Sequence, residues 1–150
     1  MQQAVKLALE GVRAGEGGPF AALVVRDGKV VASGVNQVTS RNDPTAHAEI
    51  VAIRAACAAM QSFSLAGCEL YTTCEPCPMC LAAAYWARVD RIVYACDRAD
   101  AARAGFDDAL FYDELEKPIA ERKLALVQLA RDEALPVFQA WLDKADRKPY

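Results

Sequence analysis

Thr73-Cys74-Glu75-Pro76-Cys77-Pro78-Met79-Cys80 sets three thiols at steps of three residues around two prolines. Pro78 suits the first position of a helix, which makes Cys77 its N-cap and Cys80 its third residue. Residues before proline are pushed to extended geometry, so Glu75 and Cys77 belong to the incoming chain. Cys77 and Cys80 therefore converge at one helix start. Cys74 lies three extended residues upstream, up to about 10 Å away by chain reach, and is the weaker ligand. Upstream, Thr45-Ala46-His47-Ala48-Glu49 carries the only histidine of the chain, two residues before an acid. On a helix two such residues point about 200° apart, so they share one site only at the helix end, where Pro44 and Thr45 place them. His47, Cys77 and Cys80 are thus the expected ligands of a zinc ion. Both helix starts turn their positive dipole ends toward it, which favours thiolates.

Working outward, Cys68 to Thr73 reads as a strand leading into this motif, and Pro78 to Ala87 as an apolar helix that must be covered. Ala46 to Met60 reads as a buried helix interrupted only by Glu49 and Arg54. Val5, Ala8, Leu9 and Val12 mark an amphipathic helix stopped by Gly15, Gly17, Gly18 and Pro19. Phe20 to Arg26 and Lys29 to Asn36 flank Asp27-Gly28 as a hairpin. Arg91 to Ala95 and Ala125 to Leu129 supply two further strands, joined by a polar connection over Asp97 to Glu116. Asp132 to Lys144 is the last helix, with Pro136 near its first turn. The alternation predicts one α/β domain over residues 1–150, a three-layer α/β/α fold with a central five-stranded mixed sheet.

At 150 residues with 54% apolar composition, the chain can bury one core. Its 17 basic and 20 acidic residues leave a net charge of -3 with no run of like charge, which argues against a nucleic-acid partner. No apolar run approaches the roughly 18 residues of a membrane span, and the first residues do not read as a signal peptide. A cytoplasmic location and reduced cysteines follow as expectations, with Cys57, Cys68 and Cys96 as plain buried residues.

Zinc in such a site has two readings. With Cys74 as a fourth ligand it would be structural, as in a zinc-stabilised binding module; with three ligands it keeps a position open for water. Glu49 favours the second, because a buried acid beside an open zinc is the acid-base group that hydrolysis needs.

The pair His47-Ala48-Glu49 and Pro76-Cys77-Pro78-Met79-Cys80 resembles the signature of the zinc-dependent deaminases of cytidine, adenosine and guanine. The likeness is strongest to the small bacterial guanine deaminases. It extends through Pro19-Phe20, Gly34-Val35-Asn36, Asn42 to Glu49, Tyr85-Trp86-Ala87-Arg88, Ala104 to Asp108, Phe138 to Trp141 and the terminal tyrosine. Ala21 stands where that family is expected to have glycine. The resemblance implies a cytidine-deaminase-like fold, one zinc per subunit and hydrolysis of guanine, a purine base, to xanthine and ammonia. It makes Glu49 the proton carrier and Asp108 a second acid, a role Asp107 could exchange with it. Asn36, Phe20, Ala48, Trp86 and Tyr150 would contact the base. Without the family, Asn36 reads equally well as a turn residue at a strand end. The resemblance further implies a homodimer that exchanges the C-terminal tail from about 131 to 150, with Tyr150 as a lid. Bacterial tRNA adenosine deaminases look similar around the zinc motif, and guanosine, a pterin or a triazine suits the same chemistry.

Overall fold

The computed structural model describes all residues, Met1 to Tyr150, and the chain divides into two compact units, Met1–Asp108 and Ala109–Tyr150. In the first, helix α1 (Gln2–Arg13) precedes strands β1 (Ala21–Arg26) and β2 (Lys29–Val35). Then come the short helix α2 (Val38–Arg41), helix α3 (Ala48–Met60), strand β3 (Cys68–Cys74), helix α4 (Pro78–Trp86), strand β4 (Arg91–Cys96) and helix α5 (Arg98–Arg103).

The sheet runs in the order β2-β1-β3-β4. β1 is antiparallel to both neighbours, while β3 and β4 are parallel, so the sheet is mixed as expected. The β1–β2 turn takes positive φ at Asp27 (50°) and Gly28 (72°), which matches the twist of the flanking strands. Neighbouring β2 residues show the layering. Val35 meets Gly11 of α1, whereas Gly34 faces α3, and successive strand residues point to opposite faces. One helix therefore lies on each face. A β-carbon at Gly34 would fall 2.5 Å from the Ala48 carbonyl oxygen and 2.6 Å from the Ala52 nitrogen, so only glycine lets α3 sit this close. The core between α3 and the sheet combines Ala22, Val24, Ala52, Ala56, Leu65 and Leu70, all fully buried. Small residues on α3 bring its axis near the strands, and the larger ones fill the gap.

Four strands form the sheet, not five. Ala125 to Leu129 adopts no ladder, and Leu126, Val127 and Leu129 are 52%, 86% and 88% exposed. Apolar, β-prone composition makes a strand only where a neighbour accepts its backbone hydrogen bonds, and none does here. The connection after β4 is also more ordered than its composition suggests. Asp97 accepts from the Asp100 backbone N–H at 2.8 Å, and Asp100 accepts from that of Asp97 at 3.1 Å, a reciprocal cap that starts α5.

The second unit comprises α6 (Ala109–Glu116), a 3₁₀ turn (Ile119–Glu121) and α7 (Arg131–Asp143). Pro136 sits inside α7 rather than in its first turn. No residue of this unit is buried, and Phe138 and Trp141 are 67% and 41% exposed. In α4, expected to be covered, only Cys80 and Ala84 are buried; Tyr85 and Trp86 are exposed because α4 packs on α3 with one face only. No helix of the chain is long and apolar enough to cross a membrane.

Candidate metal centre

Two helix starts meet at the site. His47 is the N-cap of α3 and Cys77 that of α4, both with extended backbone, φ/ψ −65°/152° and −63°/167°. Neither side chain makes the hydrogen bond an N-cap usually makes to its own helix, which leaves both free to face each other. Pro78 occupies the first helical position, as the spacing predicts, and brings Cys80 back over the helix end.

The His47 Nδ1 lies 3.6 Å from the Cys77 Sγ and 3.5 Å from the Cys80 Sγ, and the three ligand atoms fall within 4.8 Å of one another. A tetrahedral zinc with sulfur at ~2.3 Å and nitrogen at ~2.0 Å separates an S,N ligand pair by about 3.5 Å. The donor set and its spacing therefore fit zinc. Cys74 is not gathered with them. Its thiol points to the Asp97 carbonyl oxygen at 3.6 Å, and burial, followed by the nearby Cys96, raises it to about 11. The Cys77 thiol is instead pulled down to about 4, foremost by the Cys80 thiol donating to it and also by His47, against the cost of burial. Cys80, as the donor, is shifted upward, further helped by burial and by Glu49. One thiolate with a proton-bearing neighbour is the arrangement a cation would convert to two thiolates.

Glu49, the second residue of α3, is 6% exposed, and burial is the main cause that raises its carboxyl above the usual range. Its Oε1 accepts from the Thr72 hydroxyl at 3.2 Å, and its Oε2 lies 3.5 Å from the Cys80 Sγ. The acid and the histidine thus share one site at the first turn of α3. Thr72 is a residue the motif reading missed; its only signal was a polar side chain at a buried position of an apolar strand.

Asn36 follows β2 and is 7% exposed. Its Oδ1 accepts from the backbone N–H of Gly18 at 3.1 Å and of Val38 at 3.3 Å. The amide therefore has its acceptor engaged. Phe20 meets Phe106 edge to face, ring centres 4.9 Å apart. Ala48 is fully buried at the start of α3. Asp108 is half-buried, and burial followed by the charge of Cys77 raises its carboxyl, so it stands within the field of the metal ligands. Asp107 is exposed. Trp86 closes α4 at the end opposite Cys77 and lines a surface depression with Tyr85 and Arg88. Tyr150, in the second unit, is 72% exposed.

Comparison with known proteins agrees with this chemistry. The family model for the cytidine and deoxycytidylate deaminase zinc-binding region matches residues 1–96. The chain is 53% identical to the guanine deaminase of Bacillus subtilis over 150 residues, all of this chain and 96% of that protein. The X-ray structure of guanine deaminase from Bacillus subtilis superposes with a TM-score of 0.96, covering 99% of this chain and 95% of that one. A tRNA-specific adenosine deaminase of Aquifex aeolicus is 42% identical over 94 residues, 61% of this chain and 62% of that protein. The match spans α1 through β4 and so includes both helix starts, their ligands and the acid between them: this chain belongs to the cytidine and deoxycytidylate deaminase zinc-binding family.

Proposed function

We propose that this protein removes the amino group of guanine by hydrolysis, yielding xanthine and ammonia. The observation that carries this reading is the likeness to guanine deaminase along the entire chain, whereas the likeness to the tRNA deaminase spans 61% of it. His47, Cys77 and Cys80 hold one zinc, which supplies Lewis-acid activation of water when bound.

Glu49 accepts a proton from the attacking water and delivers it to a ring nitrogen of the base. Burial supports this role, since a carboxyl raised toward neutrality both takes and returns a proton readily. Asp108 holds the departing amine and shares in its protonation; its half-buried place near Cys77 supports it over the exposed Asp107. Asn36 presents its Nδ2 hydrogens to an acceptor on the purine, because its oxygen is engaged by Gly18 and Val38. Phe20, braced by Phe106, offers a wall to the ring, with Ala48 and Trp86 as further base contacts.

The functional form is a cytoplasmic homodimer in which each chain is one catalytic domain and the tail from about residue 131 crosses to the partner. Exposed apolar side chains on each unit support it: in the second, Leu124, Val127, Leu129, Val137 and Phe138 are each at least two-thirds exposed, and in the first α4 presents Tyr85 and Trp86. Tyr150 then closes the site. No nucleic acid takes part.

Ammonia release from guanine, guanosine, adenine and cytosine tests the reading. Turnover of guanine ahead of the other three is expected; turnover of guanosine in its place overturns the free-base assignment, and turnover only of a tRNA anticodon stem-loop overturns both.

A further inference from the structure

Strand β3 alternates in burial until it reaches the site: Cys68, Leu70 and Thr72 are fully buried, while Glu69 and Tyr71 between them are partly exposed. Cys68 and Leu70 belong to the apolar core under α3. The pattern therefore calls for an apolar residue at 72, and valine has the shape of threonine without its hydroxyl. Burying a hydroxyl is unfavourable unless it finds a partner. The partner here is Glu49, whose Oε1 accepts from the Thr72 Oγ1 at 3.2 Å.

The two residues have very different freedom. Thr72 is paired with Ala22 of β1 on one side and with Tyr94 of β4 on the other, so its backbone is held from both edges. Glu49 stands in the first turn of α3 on a side chain with three rotatable torsions. Its other oxygen meets the Cys80 thiol, which has no proton to donate once it serves as a metal ligand. Thr72 is then the side chain that keeps Oε1 against the sheet and turns Oε2 toward Cys80.

We infer that Thr72 is the positioning residue of Glu49, holding one carboxylate oxygen on the rigid strand so that the other is aimed at the metal side. This rests on the reading of Glu49 as the proton carrier. Thr72 is fully buried and so presents no surface to a substrate; its loss should therefore act on the chemical step rather than on binding. Misplacement of a reacting group by about 1 Å costs on the order of 10²-fold in rate.

Two pairs of variants isolate the hydroxyl: wild type against Thr72→Val, and Thr72→Ser against Thr72→Ala. In each pair the members differ in the hydroxyl while the remaining bulk is matched. Steady-state kinetics on the purine that wild type turns over, zinc content and crystal structures of the variants are the readouts. Removing the hydroxyl should lower kcat about ten- to hundredfold, leave KM within about twofold and zinc at one per chain, and shift the Glu49 carboxyl from its position against β3. Thr72→Ser should keep most of the wild-type kcat. The inference is overturned if Thr72→Val retains kcat within twofold, or if Thr72→Ser falls as far as Thr72→Ala, which would mean that the methyl group matters instead. Should Thr72→Val not fold, the serine–alanine pair decides alone. Failure of wild type to release ammonia from guanine strikes the functional reading, whereas the position of the Glu49 carboxyl in the variant crystals still tests Thr72.

Discussion

Gly17 and Asn36 approach so closely that a β-carbon at position 17 would lie 2.4 Å from the Asn36 carbonyl oxygen and 2.7 Å from its Oδ1. The neighbouring Gly18 N–H donates to that same Oδ1. Any side chain at 17 must therefore push Asn36 out of the position in which its amide is fixed. Gly17→Ala should raise KM for guanine by roughly tenfold or more, the equivalent of one buried hydrogen bond lost at about 1–3 kcal/mol. Its zinc content should match wild type, because the ligands sit on α3 and α4. Unchanged kinetics would remove Asn36 from the base pocket.

The separation of Cys74 from the other thiols gives a metal prediction. Cys77→Ser and Cys80→Ser should each lose zinc by elemental analysis, while Cys74→Ser should keep one zinc per chain. Because the site joins the starts of α3 and α4, chelation should lower the melting temperature, and added zinc should restore it. A Cys74→Ser protein without zinc would point to a sealed four-ligand site.

Glu49→Gln keeps the shape of the carboxyl but cannot take a proton from water. Turnover should fall by more than the roughly 10²–10⁴ of a single acid-base group, since this residue makes more than one transfer. Zinc and fold should persist. Asp108→Asn should cost less, and Asp107→Asn less again, in keeping with the exposure of Asp107. Near-native activity of Glu49→Gln would refute the proposed mechanism.

For the tail, removing residues 148–150 should leave a folded, zinc-loaded protein with strongly reduced guanine turnover. Mixing truncated chains with Glu49→Gln chains then separates two arrangements. If Tyr150 serves the partner's site, mixed dimers recover sites that combine an intact Glu49 with an intact Tyr150. If it serves its own chain, mixing recovers nothing.

What was legible in the sequence is local. Pro78 limits the backbone around it, so the N-cap place of Cys77 and the return of Cys80 one turn later follow from dihedral restrictions within six residues. The same holds for the Asp27-Gly28 turn and for His47 at the start of α3. The grouping of the candidate ligands, the acid beside them and the hairpin were therefore readable before any contact was known. The count of strands was not, because Ala125 to Leu129 has the composition of a strand and lacks the neighbour that would make it one. Nor was the direction of the Asn36 amide, which depends on backbone N–H groups 18 residues upstream and two downstream. Thr72 reaches Glu49 across 23 residues of chain. Such bonds exist only once the sheet and α3 have packed, since a side chain's partners are set by which distant segments share its burial, and no pattern within a single segment records that.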